Sequence, residues 1–304
     1  MRELDQLSLT DYLKKQGASD GAIKLLQVTQ YYAGIPNQTS MLAVAMSDFG
    51  LFMQGTPFLL DGGNDTLPRE MAYRLSRIIH YGVEVESVRE MDGNVEINVR
   101  RGDQAANFRA ERVICTLPAT VLKSIWFNPE LPEDKNQAIA NLPYLDVTRT
   151  FVQLDKPFWQ EEGTAGMAFT DRSMLIYTQP AYVKADSGRR AILEGYIGGP
   201  LANSVGKKPE EEIIEYNLDL MEKVHPKIKD HYEGATVKAW SEDPYSLGGP
   251  SWAGPGDVTR YVEPLSRPHG RIHFAGEHTT VLRSTMEGAL RSGARAALEV
   301  NEAS

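Results

Sequence analysis

The chain has 304 residues, 41% of them apolar and 24% charged, enough to bury a sizeable core and to divide into two domains. Its formal charge of −9 and pI near 5.3 argue against a nucleic-acid partner, and no Lys/Arg run makes a local exception. No apolar stretch approaches the roughly 18 residues that span a bilayer, and MRELDQLSLTDYLKK lacks the apolar segment of a signal peptide, so no membrane association is expected and the expected location is cytoplasmic.

Residues 1 to about 55 read as helical: Ser8 followed by Asp11 suits a cap for DYLKKQ, and Ala22 to Val28 carry apolar residues at helical spacing. FLLDGGNDTLPREMAYRLSRIIHYGVEVESV then reads as strand, Gly-Gly turn, amphipathic helix and strand. NVEINVR and ERVICTLP follow as two more strands, the pattern of an α/β sheet. Cys115, the single cysteine, has no partner for a disulfide or a multi-thiolate metal site and is expected to be buried, and no metal is expected. From Thr148 onward, RTFVQL, GMAFT, MLIYT and RAILEGYIG have strand composition with turn residues between them, which predicts an antiparallel sheet in a second domain. PEEEIIEYNLDLMEKV is a helix with acids in its first turn, and TVKAWSEDPYSLGG returns as a strand.

The stretch GRIHFAGEHTTVLRSTMEGALRSGARAALEV closes the pattern. Ile272 and Phe274 fall on one face of a strand, Gly276 permits a tight turn, and Glu277 stands at the strand's carboxyl end, where open α/β sheets bind ligands. A carboxylate there suits hydroxyl donors. The next helix starts near Thr285, and Gly288, Ala289, Gly293, Ala294 and Ala297 allow a flat group or another backbone to approach. Taken alone, the segment fits either a ligand-binding turn or a Gly/Ala helix packed on its own sheet beside a solvated Glu277.

FAGEHT followed by MEGALRSGARAA resembles the carboxy-terminal flavin-binding signature of the flavin monoamine oxidase family, which includes monoamine, polyamine and L-amino acid oxidases. DGGNDTLPREMAYRL, RVICTLPATVL, VTRTFVQLDKPFW and AWSEDPYSLGG are similar to further blocks of that family, in the same order. The resemblance implies non-covalent FAD, with Val85 at the adenine, Pro118 where the chain passes the flavin, and Gly276 and Glu277 at the ribityl or pyrophosphate region. It sets Thr285 and Met286 at the helix end facing the pyrimidine side of the ring, where main-chain N–H groups favour the negative charge of a reduced flavin. Trp240 would pack beside the ring or serve as a core residue. The implied reaction is oxidation of an amine or L-amino acid C–N bond to an imine, with O2 reduced to hydrogen peroxide.

Several positions depart from the family pattern. Arg149 stands where many members carry a lysine; it stays protonated, so it cannot act as a base, and either anchors a carboxylate or pairs with a nearby acid. The aromatic pair flanking the substrate nitrogen is replaced by Pro250 and Thr285, with Trp252 a candidate to stand in, so Arg149, Trp240 and Trp252 are the candidate catalytic residues. YSLGGPSW holds no cysteine for a covalent flavin link. No GxGxxG turn occurs in the 304 residues, and the resemblance covers the back two thirds of a typical member.

The expected fold class is therefore α/β plus α+β: a partial, Rossmann-like FAD-binding domain with an inserted antiparallel substrate domain, as in flavin amine oxidases. Its expected parts are a helical segment at 1–57, the FAD-binding parts at 58–138 and 243–304 with the front βαβ unit absent, and the substrate sheet and helix at 139–242. Two functions follow: an oxidase of amines or amino acids working as a truncated or split chain, with a separate GxGxxG-bearing chain as partner, or a flavin-free remnant acting as a binding or assembly protein, or an incomplete gene product. The chain alone is expected to be weakly active or inactive.

Overall fold

The computed structural model describes residues 1–29, 38–52, 60, 62–171, 174–178 and 190–303. The strand expected around FLLD, with most of the Gly-Gly turn's approach, lies largely outside them.

The chain opens with four helices, α1 (Arg2–Asp5), α2 (Leu9–Lys15), α3 (Asp20–Thr29) and α4 (Met41–Phe52). Ser8 caps α2: its Oγ accepts from the Asp11 N–H at 3.0 Å and donates to the Asp11 carboxylate at 2.6 Å. Helix α5 (Thr66–Arg74) follows, and on and just beyond it Met71, Tyr73, Leu75, Ile78 and Tyr81 are exposed.

Strands β1 (Glu84–Met91), β2 (Asn94–Arg101) and β3 (Gln104–Ala110) form an antiparallel meander. Its two-residue turns, Asp92-Gly93 and Gly102-Asp103, use glycines with φ of 82° and 57°, as tight hairpins require. The expected α/β sheet is thus antiparallel at its start. Beyond β4 (Val113–Cys115) and the short helix α6 (Ala119–Leu122), β5 (Trp126–Asn128) runs parallel to β1, giving the order β3-β2-β1-β5.

Helix α7 (Glu133–Asn141) leads into β6 (Val147–Leu154), the second strand of a five-stranded antiparallel sheet. β7 (Ala168–Phe169), β8 (Met174–Thr178) and β9 (Ala191–Gly198) build it, α8 (Pro200–Gly206) and α9 (Glu210–Glu222) cover it, and β10 (Tyr232–Ala239) completes the order β10-β6-β9-β8-β7. Val152, Leu154, Met174, Ile176, Leu193 and Ile197 meet Ile213, Leu218 and Met221 of α9 in the larger core. Gly195 permits the close approach, since a Cβ there would lie 2.7 Å from Asn217 Oδ1 and 2.8 Å from Met221 Cε.

After α10 (Asp257–Ser266), β11 (Ile272–Phe274) pairs in parallel with β4, Ile272 opposite Val113 and Phe274 opposite Cys115. Residues 113–115 and 272–274 are thereby joined across the whole antiparallel sheet. Ile272, His273 and Phe274 are all buried, so β11 is covered on both faces rather than on one. Cys115 is buried, and burial pushes its thiol pKa up. Lys135 of α7 is fully buried over the Phe274 ring and donates to the Pro264 and Leu265 carbonyls at the end of α10.

The final helix, α11 (Met286–Glu302), buries Gly288, Ser292 and Ala296 and leaves Met286, Ala289, Leu290, Ala294, Ala297 and Leu298 exposed on the opposite side. A Cβ on Gly288 would fall 2.1 Å from the Leu282 carbonyl oxygen, which is backbone and cannot swing away. Gly288→Ala is therefore expected to destabilise the protein by about 2 kcal/mol despite alanine's better helix propensity, as measured by denaturant unfolding. Unchanged stability would show that the approach of the preceding loop to α11 is not required.

Candidate active site

Four segments converge around Glu277. The first is the 3-10 turn Glu277–Thr279, entered through Gly276, whose φ of 127° favours glycine. The second is the loop at Ser251: Glu277 Oε2 accepts from Ser251 Oγ at 2.9 Å and Oε1 from the Ser251 N–H at 3.3 Å. The third is the entry to α11, where Glu277 Oε2 accepts from the Ser284 N–H at 2.7 Å and Ser284 Oγ donates to the Ser251 carbonyl at 2.8 Å. Ser284 has a φ of 64°, an unusual conformation for a residue with a side chain, and these bonds hold it there. The fourth is Tyr144, which bridges to Ser251 and whose hydroxyl accepts from the Ala119 N–H at 3.0 Å, directly after Pro118.

The chemistry of this junction is mixed. A carboxylate has about four acceptor positions, and among the described residues three donors reach Glu277, which leaves it acceptor capacity. Thr285 caps α11, its Oγ1 accepting from the Gly288 N–H at 2.9 Å, which leaves the N–H groups of Met286 and Glu287 at the helix end without an intrahelical carbonyl. Such a terminus stabilises negative charge. The Gly276 N–H donates to Ser292 Oγ at 2.9 Å, tying the turn to α11.

His278 and Arg283 lie beneath these groups. His278 is buried, and its pKa is pushed down to about 4, first by burial and then by the Arg283 and Lys135 charges. Because the folded pKa lies below the unfolded one, this histidine is neutral in the fold at neutral pH. Its contribution is complete above pH 6.5 and is lost as pH falls toward 4, about 3 kcal/mol in all. Stability should drop across that window, and His278→Gln should flatten the drop; a wild-type profile no steeper than that of the variant would contradict the assignment. Arg283 is 6% exposed, and among the described residues its Nε, Nη1 and Nη2 have no hydrogen-bond partner.

The residues singled out in the sequence do not all meet here. Gly276, Glu277, Thr285 and Met286 form the turn and helix start, Met286 being exposed. Pro118 caps α6 beside Ala119 and Tyr144. Trp252, half-buried, donates its main-chain N–H to the Pro143 carbonyl at 3.0 Å, and the Pro250 carbonyl accepts from the Leu145 N–H at 3.0 Å. Trp240 joins through the Gly248 N–H, which donates to its carbonyl at 3.1 Å, and its ring lies under the Lys238 ammonium at 4.8 Å. Val85 is in β1, partly buried against the core that contains Phe274.

Arg149 stands apart in β6, opposite Lys238 of β10 and Tyr196 of β9. Its Nε and Nη2 donate to the two oxygens of Glu194, the second at 2.7 Å, in a bidentate pair. Of the two roles open to Arg149, the structure shows this pairing. Ser251, Ser284, Tyr144 and Arg283 were not singled out in the sequence. The serine-glycine stretch before Trp252 hinted at a turn, but nothing local marks it as the partner of an acid 26 residues further on.

The family model for flavin-containing amine oxidoreductase matches residues 12–301. An L-amino-acid oxidase of Siganus canaliculatus is 27% identical over 99% of this chain and 58% of its own length. The flavin-dependent L-tryptophan oxidase RebO of Lentzea aerocolonigenes is 31% identical over 80% of this chain and 52% of its own length. Among solved structures, putrescine oxidase superposes with a TM-score of 0.84 at 21% identity, covering all of this chain and 69% of that one. Cyclohexylamine oxidase from Brevibacterium oxydans gives 0.80 at 21% identity, over 99% of this chain and 68% of that one. These folds agree with the expected mixture of α/β and antiparallel architecture, and the flavin-containing family supports FAD as the cofactor. The chain spans about three fifths of the length of the L-amino-acid oxidase from Siganus canaliculatus. No described helix is long and apolar enough to cross a membrane.

Proposed function

The chain belongs to the flavin-containing amine oxidoreductases, and from that premise we propose that it forms the back part of an FAD-dependent oxidase of amines or L-amino acids, releasing hydrogen peroxide. The observation that carries this reading is the Glu277 junction, a carboxylate reached by three donors among the described residues, beside a helix terminus whose first N–H groups have no intrahelical carbonyl.

These residues fit a flavin by their chemistry. Gly276 and Glu277 would hold hydroxyls of the ribityl chain, the Met286 end of α11 would face the pyrimidine side of the ring, and Pro118 and Trp240 would border it. Val85 would meet the adenine by its main chain. When bound, FAD supplies the acceptor for the hydride removed from the carbon bearing nitrogen. The protein's part is to orient the substrate, exclude water and favour negative charge at the α11 terminus. Trp252 would border the substrate.

The pyrophosphate cradle comes, in this proposal, from a GxGxxG-bearing segment outside these 304 residues, on the same polypeptide or on a separate chain. Two observations support it. Among the described residues the parallel pair β4–β11 has two strands, with Ile114 39% exposed, whereas parallel sheets are normally covered on both faces. The outer side of α11 presents Met286, Leu290 and Leu298 to solvent. A flavin-free binding or assembly protein is the competing proposal. The test is a peroxide assay over a panel of amines and L-amino acids on the chain joined to such a segment. Flavin-dependent peroxide from at least one class is the expected result, and none from any substrate would overturn the oxidase reading.

A further inference from the structure

The chain enters the five-stranded sheet through residues 142–146, between α7 and β6, and leaves it through residues 243–256, ahead of α10. The two crossings run side by side. The Gly249 N–H donates to the Leu145 carbonyl at 2.7 Å, the Leu145 N–H to the Pro250 carbonyl at 3.0 Å, and the Trp252 N–H to the Pro143 carbonyl at 3.0 Å. Tyr144, bridged to Ser251, sits in the middle of this joint.

Each part of Tyr144 has a separate task. Its main chain pairs with Ser251, whose N–H and Oγ donate to Glu277. Its side chain lies against Gly248 so closely that a Cβ there would fall 3.0 Å from the Tyr144 Cβ. Its hydroxyl reaches 25 positions back along the chain to accept from the Ala119 N–H at 3.0 Å. Pro118 has no N–H, so Ala119 carries the first main-chain donor of that turn, and at the start of α6 it has no intrahelical carbonyl to bond. Ala119 is fully buried, and the phenol is the acceptor its amide finds among the described residues. The next residue ties the same turn to the far crossing, Thr120 Oγ1 donating to the Ser246 carbonyl at 2.5 Å. Burial, and next the Glu277 charge, pushes the Tyr144 pKa up, so the hydroxyl stays neutral and accepts without adding charge. A phenylalanine would fill the same space and keep the bridge to Ser251; what the hydroxyl adds is the hold on Ala119.

We propose that Tyr144 is a positioning residue whose hydroxyl fixes the Pro118 turn relative to the Glu277 clamp, and so sets one border of the flavin site. This rests on the oxidase reading above and adds to it a residue that acts through the Pro118 turn.

The test is Tyr144→Phe, read first by hydrogen exchange on the full chain. Exchange at the Ala119 amide should quicken at least tenfold, while the Ser251 and Ser284 amides, held by Glu277, exchange as in the wild type. The second reading uses the complex with a GxGxxG-bearing segment. FAD should bind roughly tenfold more weakly, and at saturating FAD kcat should fall about tenfold with KM little changed, as expected when a border of the site shifts and substrate binding does not. Thr148→Val is the control: it breaks a buried bond from Thr148 Oγ1 to the Ala202 carbonyl, 2.9 Å long, and should leave FAD affinity unchanged. Wild-type exchange at Ala119, faster exchange at all three amides together, unchanged FAD affinity in Tyr144→Phe, or an equal loss in Thr148→Val would each overturn the proposal. Should Tyr144→Phe fail to fold, Ala119→Pro removes the donor instead of the acceptor at a helix start that tolerates proline, and unchanged FAD affinity there overturns it. A wild-type complex that holds no flavin would sink the oxidase reading and this role with it, whereas normal flavin binding in both variants would sink this role alone.

Discussion

Glu277→Ala should cost the protein roughly 3 kcal/mol and most of its flavin retention. The substitution removes the acceptor for Ser251 N–H, Ser251 Oγ and Ser284 N–H together. It releases Ser284 from a φ of 64° that the clamp holds, and with it the entry to α11. It also takes away the acid that most favours the buried Arg283 charge. The loss therefore propagates from one side chain to the loop, the helix terminus and the buried cation. Denaturant unfolding of the chain, and the ratio of flavin to protein absorbance in its complex with a GxGxxG-bearing segment, read the two effects separately. Glu277→Gln keeps an acceptor oxygen but turns a donor toward one of the three N–H or O–H groups, so its effect should be intermediate. Unchanged stability and unchanged flavin content in the alanine variant would make Glu277 a solvated surface acid, against the geometry of the junction.

Much of this junction was legible in the chain, and the reasons differ by element. The Ser8 cap, the helix from Glu210 and the start of α11 at Thr285 are local signals, written in residues within one turn of each other. The antiparallel sheet could be read from the strand composition of RTFVQL and RAILEGYIG and the turn residues between such segments; Val152, Leu154, Leu193 and Ile197 are wholly buried. Of the meander, β1 and β2 are legible as strands of an α/β sheet, but their antiparallel pairing and the third strand, β3, are not read from the sequence, although Asp92-Gly93 is a hairpin signal. What the sequence could not show is who receives each polar group. Glu277 was expected to be open to a ligand, yet its main partners come from Ser251 and Ser284, which only the fold brings near. Arg283 gave no signal, because its burial depends on residues as distant in sequence as Asp5 and Asp257. Lys135 likewise gave no signal: it follows Glu133 and Asp134 in the chain and is fully buried.

The second large effect concerns the 304 residues taken alone. The N–H groups of a GxGxxG turn are what neutralise a pyrophosphate in dinucleotide-binding folds, and no such turn occurs in this sequence. In the proposed site the glutamate clamp and the α11 terminus would address only the ribityl chain and the ring. With the apolar outer side of α11 and Ile114 of β4 also uncovered, the isolated chain is expected to bind FAD weakly or not at all and to turn over little substrate. Adding a polypeptide that carries a strand, a GxGxxG turn and a helix should restore both.

The most direct measurement is therefore the 450 nm flavin absorbance of the purified chain after incubation with FAD and removal of unbound cofactor, with and without that added segment. The account predicts a colourless protein alone and a yellow one, near one flavin per chain, when the segment is present. A chain that retains stoichiometric FAD by itself would show that residues within 1–304 hold the pyrophosphate, and a complex that stays colourless would contradict the flavin site at Glu277 and the α11 terminus.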